Sequence, residues 1–421
     1  MRDLKKKYKY WNALPRKEID KTIKNALEEN ISYYEELIMG LPGSHLDKKE
    51  FAPDAALLNG SSYLQVLVNN PNHIGVHTLG KFEPHFKGTH QLEKEVINVI
   101  SEDILDGDAE KIDGYVSSGG TEGNIQAIWI FRNYFAASEE KQTTPVDYKK
   151  TAILCSKDTH YSIDKAANLL NLALYKIEVD EKSREIDYQQ LNSTLQKITK
   201  EGVENVIFVV NMMTTMFGSY DDINQIVPIL KAAKVRYKIH VDGAYGGFLY
   251  PFSIKNPAIN FQNEEITSFS LDAHKMLQAP YGTGIFLIRK GYFNNTKTES
   301  ASYVVGKDYT LIGSRSGANA VSIYKILFNY GPYDWQEKMH QLVERAKWFY
   351  QEIKEMGIEA IYFEGSNIIA IHQKFITNAV ANKYGLVGDN THNATWYKVV
   401  IMGHVKRAKL IQLLADLNLV N

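Results

Sequence analysis

From about residue 112 the chain alternates short apolar runs with helix-like ones, and no other feature narrows its fold as much. "IDGYVS" precedes a helix-like stretch from about 121, "TAILCS" precedes "SIDKAANLLNL", and "NVIFVV" precedes "INQIVPILKAAK". "KIHVDG", "SFSLDA" and "GIFLIRK" follow. These runs are apolar throughout instead of alternating with polar residues, the pattern of strands covered on both faces. Such strands, separated by helices, build a largely parallel sheet with helices packed on either side. The expected fold class is therefore α/β, with a large domain built on a mainly parallel sheet.

Around that core the pattern predicts two further parts. Residues 16–39 bring Ile19, Ile23, Ala26 and Ile31 near one helical face, and 89–105 carry an apolar stripe of Leu92, Val96, Ile97, Ile100 and Ile104. Residues 40–90 are richer in Gly, Pro, Asn and His and read mainly as loop. After about 325 the order is a helix (335–356), two strands ("IEAIYF", "NIIAIH"), a helix, a strand ("WYKVVIM") and a helix. The expected division is an N-terminal helical and loop segment over 1–85, a large domain over 86–325 and a small C-terminal α/β domain over 326–421.

Composition bounds the function classes. Of 421 residues 44% are hydrophobic and 23% charged, with a net charge of −1, so nothing favours nucleic acid or a membrane surface as partner. No run approaches the roughly 20 apolar residues that span a bilayer. The basic opening "MRDLKKKYKYWN" is followed by no apolar stretch of the secretory kind. Cys155 is the only cysteine, which excludes an intrachain disulfide and makes the cytoplasm the expected location.

Five stretches carry candidate chemistry. "SSGGTEGN" places Gly119, Gly120 and Gly123 in a turn between a strand and a helix, with Thr121 able to cap that helix. Free N–H groups and the positive helix end suit a phosphate there. The turn is neither a Walker loop nor GxGxxG. "SKDTHYS" puts His160 just after a strand, and "HVDGAYGGF" puts Asp242 at a strand's carboxyl end, where open α/β sheets bind ligands. Lys275, preceded by His274 in "LDAHKM", is an ammonium group in an apolar setting. Arg315 sits in the small-residue loop "GSRSGANA", suited to an anion or a subunit contact. Singly these have structural explanations: a turn, a cap, a salt bridge. Together they match what pyridoxal 5'-phosphate needs, namely an amine for a Schiff base, an acid on the ring nitrogen and donors for the phosphate. No metal site is expected.

In that order the stretches resemble the group II pyridoxal-phosphate-dependent amino-acid decarboxylases, which have the aspartate-aminotransferase-like fold (fold type I). The resemblance covers roughly residues 90–420. "GGTEGN" with "DTHYS" is similar to bacterial histidine decarboxylases, and "GSRSGANA" with "VVIMGHV" to archaeal-type tyrosine/aspartate decarboxylases; residues 1–85 match neither closely. The resemblance implies that Lys275 carries the cofactor as a Schiff base and that Asp242 keeps the ring nitrogen protonated. It implies that Ala244 packs against one ring face, that His160 stacks on the other, and that Thr214 lies near the ring hydroxyl. Gly119, Gly120, Thr121 and His274 would hold the phosphate. It also implies a homodimer acting on a small-molecule amino-acid substrate.

Met213 departs from the family, which usually has a small residue there; it either narrows the pocket or packs in the core. Asp221 or Asp222 reads as a helix cap. Arg315, His77, His85 and Tyr303 are candidates for substrate recognition. Histidine, aspartate or glutamate, and tyrosine remain open as substrates. So do two rival activities, a carbon–carbon lyase of the sphingosine-phosphate type and a non-catalytic cofactor-binding relative. An aminotransferase is disfavoured because "WYKVVIM" offers no arginine for the α-carboxylate.

Overall fold

Helix α1 (Arg16–Glu28) buries Ile19, Ile23 and Ala26, three of the four residues its periodicity marks. Ile31 lies beyond its end, because the Asn30 side-chain oxygen turns to accept from the N–H groups of Gly88 and Thr89 (3.1 and 3.2 Å). Helix α2 (Ser62–Asn69), capped by the Ser61 hydroxyl, leads into strand β1 (Asn72–Ile74). Helix α3 (Lys87–Asn98) runs on through a wider turn over Val99–Ile104, and the whole expected stripe is buried. It crosses α1 at Gly88, where a Cβ would lie 2.0 Å from the Ala26 carbonyl oxygen. The computed structural model describes residues 8–33, 39–41, 43–52, 54–58, 60–74, 84–137, 148–255, 257–296 and 308–418.

The central sheet has seven strands: β2 (Ile112–Ser117), β3 (Thr151–Ser156), β4 (Ala173–Ile177), β5 (Asn205–Asn211), β6 (Arg236–Asp242), β7 (Ile266–Asp272) and β8 (Gly284–Arg289). Their order is β2-β8-β7-β6-β5-β3-β4. Four of the pairs are parallel, and β8 runs antiparallel to both its neighbours. Every residue of β2, β3, β5 and β7 is buried, as the unbroken apolar runs require. Strand β4 does not stand out in the sequence because it is the sheet edge and leaves Ala173 and Lys176 exposed. Helices α4 (Gly120–Ala137), α5 (Ser162–Leu170), α6 (Tyr188–Lys200), α7 (Ile223–Ala232) and the single turn α8 (Tyr250–Ser253) connect the strands.

Strand β9 (Ser314–Ser316) pairs antiparallel with β1. Helix α9 (Gly317–Glu355) follows, kinked at Gly331–Pro332, where Gly331 has φ 65°. The division drawn at 325/326 falls inside its first segment. Trp11 of the N-terminal segment donates its indole N–H to the Leu327 carbonyl of α9 (2.8 Å), and Trp335 of α9 donates to the Phe248 carbonyl of the large domain (3.1 Å). Strands β10 (Ala360–Tyr362), β11 (Ile368–His372), β12 (Val387–Gly388) and β13 (Trp396–Val400) form a four-stranded antiparallel sheet. Helices α10 (Asn378–Tyr384) and α11 (Arg407–Asn418) supply part of the apolar core beside it.

Arg315 is neither an exposed anion site nor a free contact. Its guanidinium is buried, 2.6 Å from Glu93 and 2.8 Å from the Val116 carbonyl, so it fastens β9 to α3 and β2. Glu93 also accepts from the Val116 N–H and pairs with His73 at 2.6 Å, and the His73 ring stacks on His90 with centroids 3.8 Å apart. Burial works against the charged form of Glu93, but the Arg315 guanidinium and hydrogen bonds from His73 and His90 hold its carboxyl well below the usual range.

Candidate active site

The parallel strands end at one edge of the sheet, and the last residues of β3, β5, β6 and β7 are polar. Asn211, Asp242 and Ser270 face one another across β5, β6 and β7, and Ser117, Gly284 and Asp272 do so across β2, β8 and β7. Beyond that edge lies a cavity of about 400 Å³, and Gly119, Gly120, Thr121, His160, Ala244, His274 and Lys275 all line it. An adjoining smaller cavity shares His160, Ala244 and Lys275 and adds Thr214 and Asp242. All nine residues expected at the site are thus brought together from loops far apart in the chain.

Asp242 is held in a buried network. Its Oδ2 accepts from Asn124 Nδ2 at 2.8 Å and its Oδ1 from the Ala244 N–H at 3.1 Å. A carboxylate only accepts, so the Asn124 amide nitrogen faces it and the amide oxygen faces His240 Nε2, 2.8 Å away. His240 therefore donates from Nε2 and accepts at Nδ1 from the Ser268 hydroxyl (2.8 Å). Burial pulls His240 down to about 3, in keeping with this neutral ring. Asn124 Nδ2 also donates to Ser162 Oγ at 2.8 Å, and Ser162 lies 2.9 Å from His160 Nδ1. The Ser162 hydroxyl and backbone N–H both point donors at that nitrogen, leaving the proton of neutral His160 on Nε2. Burial holds His160 below its ordinary range.

The glycine turn is a cradle that side chains cannot enter. Gly119 has φ +134°, and a Cβ on Gly120 would meet the Ala244 Cβ at 3.0 Å and the Asp272 oxygens at 3.3 Å. Asp272 closes the cradle: Oδ1 takes the Gly120 N–H, Oδ2 lies 2.9 Å from Lys275 Nζ, and His274 Nε2 is 3.6 Å from the same oxygen. Lys275 is half-buried, opening onto the cavity, although its flanking sequence is apolar.

Thr214 is buried and pairs with Ser219 through both backbone and hydroxyl (2.7 Å each). Met213, at φ 67°, packs in the core and also lines the smaller cavity. Asp222 caps α7, whereas Asp221 is buried, accepts from the Asn211 backbone and side chain, and is pushed up to about 7 by burial. His85 is not among the residues lining the cavity, and His77 and Tyr303 lie outside the described residues.

Sequence reasoning missed Asn124, Asp272, Asn211 and two contacts from the small domain. Asn124 stands four residues after Gly120, one helical turn, and that spacing was the available signal for it. Tyr245 donates to Asn367 Oδ1 at 2.8 Å, and Lys398 Nζ donates to the Thr215 carbonyl at 3.0 Å, tying the residue before β11 and β13 itself to the site. No local pattern points to either.

A cradle shaped by glycines at a helix start, an acid fixed by two donors, a histidine across the cavity and an amine opening into it together fit pyridoxal phosphate. Residues 88–371 match the model of the pyridoxal-dependent decarboxylase conserved domain. A tryptophan decarboxylase of Clostridium sporogenes is 42% identical over 415 residues, 98% of this chain and 98% of that protein. A histidine decarboxylase of Vibrio campbellii is 30% identical over 340 residues, 79% of this chain and 81% of its own. Among solved structures, L-methionine decarboxylase from Streptomyces sp. 590 superposes with a TM-score of 0.70 at 20% identity, covering 95% of this chain and 93% of that one. Polar strand ends, a fixed acid and a conserved-domain match over most of the length lead to one conclusion: the chain belongs to the pyridoxal-dependent decarboxylase family.

Proposed function

We propose that this pyridoxal-phosphate-dependent amino-acid decarboxylase acts on an aromatic L-amino acid, tryptophan first. The observation that carries the choice is the 42% identity to a tryptophan decarboxylase over nearly the whole of both chains. When bound, pyridoxal phosphate supplies a carbonyl for the substrate amine and a ring that takes up the electron pair released with CO₂.

The chain's own residues have these proposed roles. Lys275 Nζ would hold the cofactor through its amine. Asp242, oriented by Asn124 and the Ala244 N–H, keeps a proton on the ring nitrogen. Gly119, Gly120, Thr121 and His274 hold the phosphate at the positive end of α4. Ala244 and His160 would sandwich the ring, and His160 Nε2–H would bond the substrate carboxylate or relay a proton. Thr214 lies by the ring hydroxyl. We also propose a cytoplasmic homodimer, on the family resemblance for the dimer and on a single buried cysteine for the compartment.

CO₂ release measured across the twenty amino acids, with cofactor supplied, tests the substrate. Release from tryptophan above all others is expected; release from histidine or aspartate alone overturns the aromatic reading. Borohydride should fix the cofactor to the wild type and leave Lys275→Ala unlabelled, and a labelled variant would show that another amine holds it.

A further inference from the structure

We propose that Met213 is the wall on which the ring methyl group of pyridoxal phosphate packs, an inference that rests on the roles proposed above for Asp242 and Thr214. Met213 follows Met212, the first residue beyond β5, and sits at φ 67°. A side chain in that left-handed region carries a conformational cost that glycine would not. The neighbouring peptides leave it no other conformation. Met212 donates its N–H to the Asp242 carbonyl (2.9 Å), and its own carbonyl accepts from the Gly246 N–H (3.1 Å). Thr214 donates its N–H to the Ser219 carbonyl (2.7 Å), and its carbonyl accepts from the Gly218 N–H (2.9 Å). The backbone is therefore pinned on both sides of Met213. Its Cβ is backed by Gly246, where a Cβ would come within 3.0 Å of it. Strain of this kind persists where the surroundings over-determine it, and it gathers at functional sites.

The cavity indicates what the side chain meets. Among the described residues lining the smaller cavity, only Met213 and Ala244 lack a hydroxyl, amide, imidazole or charge. Pyridoxal phosphate likewise has one wholly apolar substituent, its methyl group. That methyl stands on the ring carbon between the nitrogen and the carbon bearing the hydroxyl. With the nitrogen at Asp242 and the hydroxyl at Thr214, the methyl falls between those two residues. Ala244 is taken up by a ring face, which leaves Met213, the chain neighbour of Thr214, for the methyl. An unbranched thioether also follows an irregular apolar contour better than a stiffer side chain. The contact adds apolar burial to a ring otherwise held by polar groups, so its effect is on cofactor retention.

The test titrates full-length apoproteins with pyridoxal phosphate and with its 2-nor analogue, in which hydrogen replaces the methyl, following tryptophan fluorescence and the cofactor absorbance band. The ratio of the two dissociation constants within one protein cancels what a substitution does to the fold at large. In the wild type the analogue should bind about fourfold more weakly, the worth of one buried methyl group. Met213→Ala keeps the left-handed backbone and removes the thioether, so the ratio should fall to within about 1.5-fold. Met213→Leu, of similar volume, should return most of it. Met213→Gly frees the backbone as well: its apoprotein should unfold at a higher urea concentration than that of Met213→Ala, with the same lost ratio.

A ratio unchanged in Met213→Ala, or a wild type that binds both cofactors equally, overturns the proposal and leaves Met213 as packing alone. Asp242→Asn tests the reading beneath it and should weaken both cofactors alike. If Asp242→Asn weakens neither, the ring nitrogen lies elsewhere, and the placement of the ring fails together with the methyl contact. Should Met213→Ala not fold, Met213→Gly carries the same comparison.

Discussion

Replacing Asn124 by leucine probes the network beneath the cofactor at nearly constant volume. Asn124, Ser162, Asp242 and His240 are all buried, so water cannot substitute for the lost amide. His240 Nε2–H would lose its partner among the described residues, a cost of about 1–3 kcal/mol for a buried donor. Asp242 would keep only the Ala244 N–H, and the charge-assisted bond it loses is worth about 1.5–3 kcal/mol. The apoprotein should therefore lose roughly 3–6 kcal/mol in urea denaturation followed by tryptophan fluorescence. Cofactor affinity should fall by about tenfold to a hundredfold, because the acid that meets the ring nitrogen is no longer oriented. Asn124→Asp separates the two effects. It keeps an acceptor for His240 but sets a like charge against Asp242, so its cofactor affinity should fall further while His240 stays satisfied. If Asn124→Leu leaves apoprotein stability within about 0.5 kcal/mol and affinity within about twofold, the network does not orient Asp242 and the reasoning fails.

Two further outcomes follow from neighbouring groups. Asp272 places a carboxylate in the phosphate cradle, and two like charges about 4 Å apart repel by about 4 kcal/mol at the effective dielectric of a protein surface. Asp272→Asn apoprotein should bind inorganic phosphate at least about tenfold more tightly by calorimetric titration, and equal or weaker binding would show that Asp272 does not oppose the anion. His240 is pulled down to about 3 when folded and returns to about 6.5 when unfolded, so the unfolded chain takes up the proton between those values. The stability owed to its neutral form is complete above pH 6.5 and drains as pH falls toward 3. Between pH 8 and pH 5 the wild type should lose about 2 kcal/mol more than His240→Gln, and parallel pH profiles would refute the neutral buried ring.

The sheet was legible because burial on both faces leaves a local mark: β2, β3, β5, β6, β7 and β8 each read as an apolar run. Strand β4 left no such mark, since half of its environment is solvent, and the antiparallel sense of β8 depends on a chain reversal that no run of residues records. The end of α1 was misplaced because Asn30 is committed to the N–H groups of Gly88 and Thr89, nearly sixty positions away. Arg315 illustrates the same limit. In "GSRSGANA" it reads as suited to an anion or a subunit contact, and only the packing of α3 against β9 delivers Glu93 to it.

By itself the sequence determined which chemical groups this protein possesses and the order in which they come: a glycine turn, a histidine, an acid and a lysine, each at a strand end set by local periodicity. That much follows from side-chain type and nearest-neighbour spacing. Tertiary structure alone decided how those groups are held. Asn124 reaches Asp242 and His240 across more than a hundred residues, Asp272 folds back onto Gly120, and β13 carries Lys398 to Thr215 from the other sheet. Orientation, counter-charge and desolvation are properties of neighbours in space, and it is packing that brings those neighbours together.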